Sequence, residues 1–522
     1  MPAIPTVTIT VVDNGASAAL SVPLATVQLV IGCAIAGVAN QPYASSNPQS
    51  IQGQFIGGPL VEAAGLVAQA GNVAICISCP IVTPGTANPV AATVPNSSTS
   101  TVTVTVDGTN GCWDQYYVLV RCLKTGTIGT APGPTIQVSL DAGRNWGAPI
   151  SLGTQNSLYL GSGSLTSRVP GGTGTQLNFG AGALNGPSIN AAGATVYDTW
   201  QFGTNPPQWN DAGVEAALAA FFGSQYAVEG VGSMHIVGVC GAGDITAIHT
   251  SLQAGTSGYV YTRAIVELRD AVAANVWSGG TAESEATWMA ALATIVSGEA
   301  AQPRVCADGG YYNTPSPFAN AAGGSPSYRR PLAWSHAVRR TQVPLQRRAG
   351  RVKDGPYSTI SVNPASDPTD GFIYHDERTT PGLNAARIGS AMTWPKKGQG
   401  FFQCQEPLLS APGSQFTEMV IGNVLDAACD IGYAAGVEEV SDDLQTQQNG
   451  TLDTVALNTF QGSIQQALNE GMIQTPLVSG VTATVSPTQN VNATGVVPVT
   501  ISVRPRGYVN NVSETINLSN GS

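Results

Sequence analysis

Between Trp200 and Asp308 the chain alternates helix-like and strand-like segments, and that order restricts the fold more than any other stretch. Asn210 or Asp211 can cap a helix whose apolar face is Val214, Leu218, Phe221 and Phe222. Met234–Cys240 reads as a strand, and Asp244–Leu252 as a helix with Ile245, Ile248 and Leu252 inward. Gly258–Leu268 is a second strand. Glu283–Ser297 is a helix through Trp288, Leu292, Ile295 and Val296, stopped by Gly298. Val305 opens a further strand. Strands joined through helices in this way predict a largely parallel sheet.

The flanks extend the pattern. Leu24–Ile35 and Val73–Cys79 read as strands around a helix over 59–70 that uses Leu60, Ala63, Ala64 and Val67. From Pro84 to about Asn190 the character changes to short strands separated by Gly, Pro and Asn. These are Thr101–Val106, Tyr116–Cys122, Ile136–Leu140, Ser157–Leu160 and Gln176–Phe179, with a tight turn at Asp141–Trp146. That spacing predicts a β-sandwich-like insertion. Leu452–Leu468 carries a helical face of Leu457, Phe460, Ile464 and Leu468. Both ends alternate as strands without an obvious partner: Val7, Ile9 and Val11 within 4–12, then Val497, Val499, Ile501 and Val503, and again Glu514–Leu518 with Ile516 and Leu518. The expected fold is therefore α/β, a mixed, largely parallel sheet with helices, assembled from early and late parts of the chain. An inserted β-sandwich-like domain and strand-like terminal extensions complete it. The boundaries this predicts are 1–20, 21–85, 86–198, 199–440 and 441–522.

At 522 residues the chain exceeds what a single core usually organises, about 250–300 residues. Only 10% of it is charged, against roughly 25% in a typical soluble domain, and the first basic residue is Arg121. A surface so poor in charge reads as one covered by other subunits. The net charge of −11 argues against general nucleic-acid binding. Nine cysteines in so long a chain are no disulfide framework; Cys76 and Cys79 read as buried thiols rather than a metal or redox pair. Residues Val22–Val38 are interrupted by Pro23, Thr26 and Gln28 and lack basic flanks, which predicts a buried strand and turn and no membrane insertion. The start, Met1-Pro-Ala-Ile-Pro, lacks the basic region of a signal peptide.

Motifs for chemistry are sparse. Gly241-Ala-Gly243 follows a strand, but Thr246 stands where a third glycine would, so a dinucleotide site is not expected. There is no phosphate-binding GxxxxGK[ST], no HExxH, and no GxSxG with a credible histidine. Of four histidines, His235 and His249 read as structural. His375-Asp376-Glu377 is dense enough for acid–base work, yet it is better explained as part of an ion-pair network with upstream arginines. No catalytic, cofactor or metal residue is assigned.

One segment departs from the acidic whole. Arg329, Arg330, Arg339, Arg340, Arg347, Arg348, Arg351 and Lys353 follow one another with no acid between Tyr328 and Lys353. Such a run can face phosphate, with Tyr328 and Trp334 as weak stacking cues, or the carboxylates of a protein neighbour.

This region also carries a resemblance. Arg330-Pro-Leu-Ala-Trp-Ser-His-Ala-Val-Arg339, then Gly350-Arg-Val-Lys-Asp-Gly-Pro356, then Asp370-Gly-Phe-Ile-Tyr-His-Asp-Glu-Arg-Thr-Thr-Pro-Gly-Leu-Asn-Ala-Ala-Arg387 resembles tail sheath proteins of contractile bacteriophages and phage-like injection machines. The pattern of Val497–Val503, Gly507 and Glu514–Leu518 is similar to the end of that family.

The resemblance implies a structural, non-enzymatic virion subunit without cofactors. Such subunits form a homo-oligomer of stacked rings around an inner tail tube, between baseplate and tail terminator proteins. They are assembled in the host cytoplasm, and contraction drives the tube through the host envelope. Terminal strands add to a neighbour's sheet, which casts Val7, Ile9, Val11, Val499, Ile501, Val503, Ile516 and Leu518 as the mesh between subunits. The basic residues from Arg329 to Lys353 become contacts with the tube or a neighbour, with no direct nucleic-acid role. Another virion structural protein, or a hydrolase using His375, Asp376 and Glu377, are the alternatives.

Overall fold

The computed structural model describes residues 26–508 except 94–99, 108–110, 162–171, 274–276, 278–280, 300, 319–326, 362–370, 399, 412 and 442. It falls into two compact units, one spanning Pro23–Asn423 and one taking in the chain from Val424 onward.

The first unit is organised by a seven-stranded mixed sheet. Its five central strands run parallel in the order Val73–Cys79, Val27–Cys33, Ser233–Val239, Ala264–Glu267, Gln302–Asp308. Tyr43–Ser45 and Leu408–Leu409 add antiparallel edges. The chain winds one way from Val27–Cys33 to Val73–Cys79 and the other way from Ser233–Val239 onward. The reversal falls between Val27–Cys33 and Ser233–Val239, where open α/β sheets leave a crevice at the carboxyl ends of their strands. These strands are apolar on both faces because helices cover both. One face packs Leu29, Ile31, Ile75, Ile77, Met234 and Ile236 against Val214, Leu218 and Phe221 of the helix Asp211–Phe222. On the other, Val30, Ala74, Cys76 and Val237 meet the helix Pro59–Gln69 together with Trp334 and Val338.

Local signals place the helix ends. Asn210 accepts a hydrogen bond from Gly213 N and starts Asp211–Phe222. Ser284 caps Glu285–Ser297 through Thr287 N, and Gly298 closes it. The strand expected over Gly258–Leu268 is only Ala264–Glu267, because Ser257, Gly258 and Tyr259 bond back into the preceding helix end as a turn. Val22–Val38 contains the strand Val27–Cys33, buried along most of its length.

The short strands between Thr86 and Asn205 pair among themselves. Tyr117–Lys124 lies between Thr135–Ser139 and Thr199–Asn205, and Val104–Val106, Gln176–Phe179 and Ser157–Tyr159 form a three-stranded sheet. Val118, Val120, Ile136, Leu158, Leu177, Trp200 and Phe202 share one apolar core between them. At the Asp141 turn the carboxylate accepts from Ser139 Oγ and from both nitrogens of Asn145, while Ala142 and Gly143 take positive φ.

In the second unit the helix Thr454–Leu468, capped by Asp453, packs Phe460, Ile464 and Leu468 inward. Gly480–Val485 and Val499–Arg504 pair antiparallel. This corrects the expectation that the strand beginning at Val497 lacks a partner: Val499, Ile501 and Val503 lie opposite Val485, Ala483 and Val481. Val7, Ile9, Val11, Ile516 and Leu518 lie outside the described residues. Two helices of more than ten residues are not signalled by the expected pattern. Leu332–Gln342 is buried almost throughout, and Met419–Glu438 is carried by Val420, Val424, Ala427 and Ile431 at plain helical spacing. Among the described residues the latter alone is long and apolar enough to cross a membrane, and 61% of its most apolar window is buried in the protein.

Candidate functional site

The basic segment folds inward. Ser327–Pro331 forms a hairpin with Tyr311–Pro315, and Pro331 leads into the helix Leu332–Gln342. Arg329, Arg330, Arg339 and Arg340 are 3%, 1%, 7% and 2% exposed, so these four are not the surface contacts that the sequence suggests. Burying a guanidinium requires acceptors, and each finds several within the chain. Arg329 holds Asp270 with two hydrogen bonds of 2.6 and 2.7 Å and donates to Ile373 O. Arg330 donates to Glu62 Oε2 at 2.7 Å, to Asp114 Oδ2 at 3.3 Å and to Gln115 O at 2.6 Å. Arg339 clamps the carbonyls of Asp354, Gly355 and Pro356, and Arg340 those of Leu345 and Arg347. Arg348 pairs with Glu418, and Arg347 and Arg351 share Asp354. Arg347 and Arg348 are half-buried, while Arg351 and Lys353 are exposed.

His336, one helical turn before Arg340, lies at the centre of this frame. Its Nδ1 is 2.7 Å from Asp308 Oδ2 and its Nε2 is 2.8 Å from Glu406 Oε1. Burial disfavours its charge, but the two carboxylates outweigh burial and raise its pKa to about 9. Glu406 is held below the usual carboxylate range: burial opposes this, and Arg340 and His336 overcome it. Cys306, Asp308 and His336 bring donor atoms within 4.8 Å of one another. A metal ion would need an unprotonated ring nitrogen there, and both nitrogens are committed to carboxylates.

His375 repeats the arrangement. It is fully buried, with Nδ1 2.8 Å from Glu285 and Nε2 2.9 Å from Glu377. Its pKa is raised, the hydrogen bonds to Glu377 and Glu285 overcoming burial. Both ring nitrogens face carboxylates, so neither is free to take a proton from a substrate. Asp376 takes Thr393 N, Thr393 Oγ1 and Arg378 N, the bonds of a turn. The acids of this triad therefore bind His375 and local backbone and hydroxyl groups, and the upstream arginines bind Asp270, Glu62, Asp114, Glu406, Glu418 and Asp354 instead.

His235 and Glu267 make a further buried pair at 3.0 Å, with Trp334 Nε1 and Gly238 N also donating to Glu267. His249 is pushed down to about 4 by burial and by Arg304 and Arg263. All nine cysteines are reduced thiols, eight of them buried, and burial pushes the Cys76 and Cys79 thiols up.

At the winding reversal the crevice is present, as a cleft of about 410 Å³. Val239 and Glu267 end two of the parallel strands in its wall. Gly238 is obligatory: its φ is +126°, and a Cβ would meet Trp209 Nε1 at 2.6 Å. Trp209 Nε1 donates to Val237 O, which fixes the indole against the bulge in that strand. The cleft does not suit a nucleotide. Asp114, Asp211, Asp244, Glu267 and Asp270 line it against Arg330 alone, and Asp244 already accepts Gly241 N at the start of the helix Ala242–Thr256.

No protein-family model matches the chain, and no curated protein sequence does. Solved structures do. A crystal structure of a sheath tail protein from Listeria innocua matches with a TM-score of 0.43 and 9% identity over 94% of this chain and 93% of that one. A sheath tail protein from Desulfitobacterium hafniense matches with a TM-score of 0.42 and 10% identity over 96% of this chain and 100% of that one. The PVC sheath complex of an extracellular contractile injection system, in its contracted state, matches with a TM-score of 0.38 and 9% identity over 56% of this chain and 71% of that one.

Proposed function

We propose that this chain is a structural subunit of a contractile tail sheath, polymerising helically around an inner tail tube and contracting to drive that tube through a host envelope. The observation that carries the reading is the pairing of Val499–Arg504. One edge of the strand binds Gly480–Val485, and the other has no strand partner among the described residues. An open edge of this kind offers its main chain to a strand from another subunit. The sequence resemblance over Arg330–Arg387 points the same way, and so does the low charge content, which suits a surface covered by neighbours.

In this reading 1–20 and the end of 441–522 are the extensions that link subunits, 86–198 is an inserted β-rich domain, and 21–85 with 199–440 form the sheath core. Val7, Ile9, Val11, Val499, Ile501, Val503, Ile516 and Leu518 belong to the mesh. Arg347, Arg348, Arg351 and Lys353 are the basic residues left for a tube or a neighbour. Baseplate, tube and terminator proteins are the partners, and the virion tail, assembled in the host cytoplasm, is the location. A bistable assembly of this type stores its free energy in subunit contacts and requires no nucleotide.

Negative-stain electron microscopy of the purified protein across concentration and salt tests the reading. Hollow tubes or stacked rings are expected. A uniform monomer or a small closed oligomer under all conditions would overturn it.

A further inference from the structure

The cleft at the winding reversal is short of positive charge. Asp270 is neutralised by Arg329, and Arg330 is shared between Asp114 and Glu62. Burial and the nearby Glu62 raise Asp114 to about 7 despite Arg330, and burial with the hydrogen-bonded Asp211 raises Asp244 to about 6. Like charges are therefore crowded along the cleft. A turn of polypeptide bearing lysines answers this with ammonium groups for the carboxylates. The rim suits an apolar contact. Val239 is 46% exposed, and Val82, 55% exposed, donates its amide to Gln208 O beside the cleft.

The chain carries such a turn itself. Ala391–Thr393 and Phe401–Gln403 form a hairpin whose exposed end contains Trp394, Pro395, Lys396 and Lys397. Trp394 is the only aromatic side chain among the large exposed hydrophobics of the described residues, at 38%. Neither lysine side chain has an ion-pair partner among the described residues, and Lys396 sits at φ +63°, a left-handed conformation that holds the turn in shape.

We infer that the Trp394–Lys397 turn of one copy docks in the acidic cleft of a second copy, Lys396 and Lys397 meeting Asp211 and Asp244 while Trp394 covers the Val82–Val239 rim. Turn and cleft are different surfaces, so the contact is head-to-tail and propagates rather than closes. The inference rests on the polymerising function proposed above.

Charge exchange tests it. K396D/K397D and D211K/D244K change exposed or half-buried positions, and circular dichroism checks that both fold. Each alone should fail to assemble, and an equimolar mixture should recover assembly, because each variant's turn then matches the other's cleft. Assembly of either variant at the wild-type level, or folded variants whose mixture stays unassembled, would overturn the contact. A second measurement does not depend on tubes. K397C protein mixed with D211C protein under mild oxidant should give a disulfide-linked dimer that K397C alone does not form. Absence of that dimer overturns the docking even if wild-type tubes form. Its presence without tubes keeps the docking and overturns the sheath reading. Saturable binding of magnesium or spermidine at Asp211 and Asp244 without the dimer would assign the cleft to a small cation and overturn the docking.

Discussion

Gln465 completes the strand edge at Ala483: its Oε1 accepts Ala483 N at 2.8 Å, and its Nε2 donates to Val481 O at 3.1 Å. Gln461 does the same for Val485 N. Two helical glutamines thus stand where a third strand would pair, so Gly480–Val485 is closed on the side away from Val499–Arg504. Gln465→Ala removes two hydrogen bonds of roughly 1 kcal/mol each. The Ala483 amide should then exchange with solvent roughly 5–30-fold faster, read by hydrogen exchange. Unchanged exchange would show that the edge is protected by something other than Gln465.

His336 makes stability depend on pH in a definite direction. Its folded pKa of about 9 lies above the ordinary 6.5, so the folded state holds its proton more tightly than the unfolded one. The stabilisation is complete below pH 6.5 and is lost as pH rises through about 9. It amounts to roughly 3 kcal/mol. The melting temperature should fall across this interval, and His336→Gln should flatten that part of the profile.

Arg330→Met leaves Glu62 and Asp114 buried without a cation. Breaking a buried pair by removing one partner costs about 3–5 kcal/mol. The denaturant midpoint of the Pro23–Asn423 unit should drop accordingly. Arg330→Lys should recover only part of the loss, because one ammonium cannot span Glu62, Asp114 and Gln115 O as the guanidinium does.

His375→Ala separates a structural triad from a catalytic one. Glu285 and Glu377 would face each other across a void, and the melting temperature should fall by several degrees while assembly persists. Hydrolytic turnover in the wild type that vanishes in this variant would contradict the structural role.

Removal of 1–12 or of 508–522 should leave circular dichroism and melting of the core intact and abolish long tubes, as seen by electron microscopy. Normal tubes from both truncations would rule out the strand mesh.

Much of the fold was legible because its signals are local. Gln176–Phe179 and Val73–Cys79 form where alternation or apolar runs place them, and Asn210 and Gly298 end helices as their chemistry dictates. The arginines were legible as a cluster but not as an interior one. Charge reads as surface until its partners are known, and these lie far off: Asp270 reaches Arg329 from 59 residues away and Glu62 reaches Arg330 from 268. The helix Leu332–Gln342 was hidden for the same reason, since buried Arg339 and Arg340 blur its apolar stripe. The cleft has no sequence signature because Asp114, Asp211 and Glu267 meet only through the sheet.

The bonds of Arg330 also set a timetable. Its partners precede it by 268 and 216 residues, so Glu62 and Asp114 leave the ribosome long before their counter-ion exists. At synthesis rates of about 5–20 residues per second that interval lasts roughly 10–50 seconds. Until Arg330 emerges, two carboxylates destined for the interior lack their counter-ion. The buried contact that ties Glu62 of the helix Pro59–Gln69 to Asp114 therefore forms late in synthesis, and the basic segment supplies its cation.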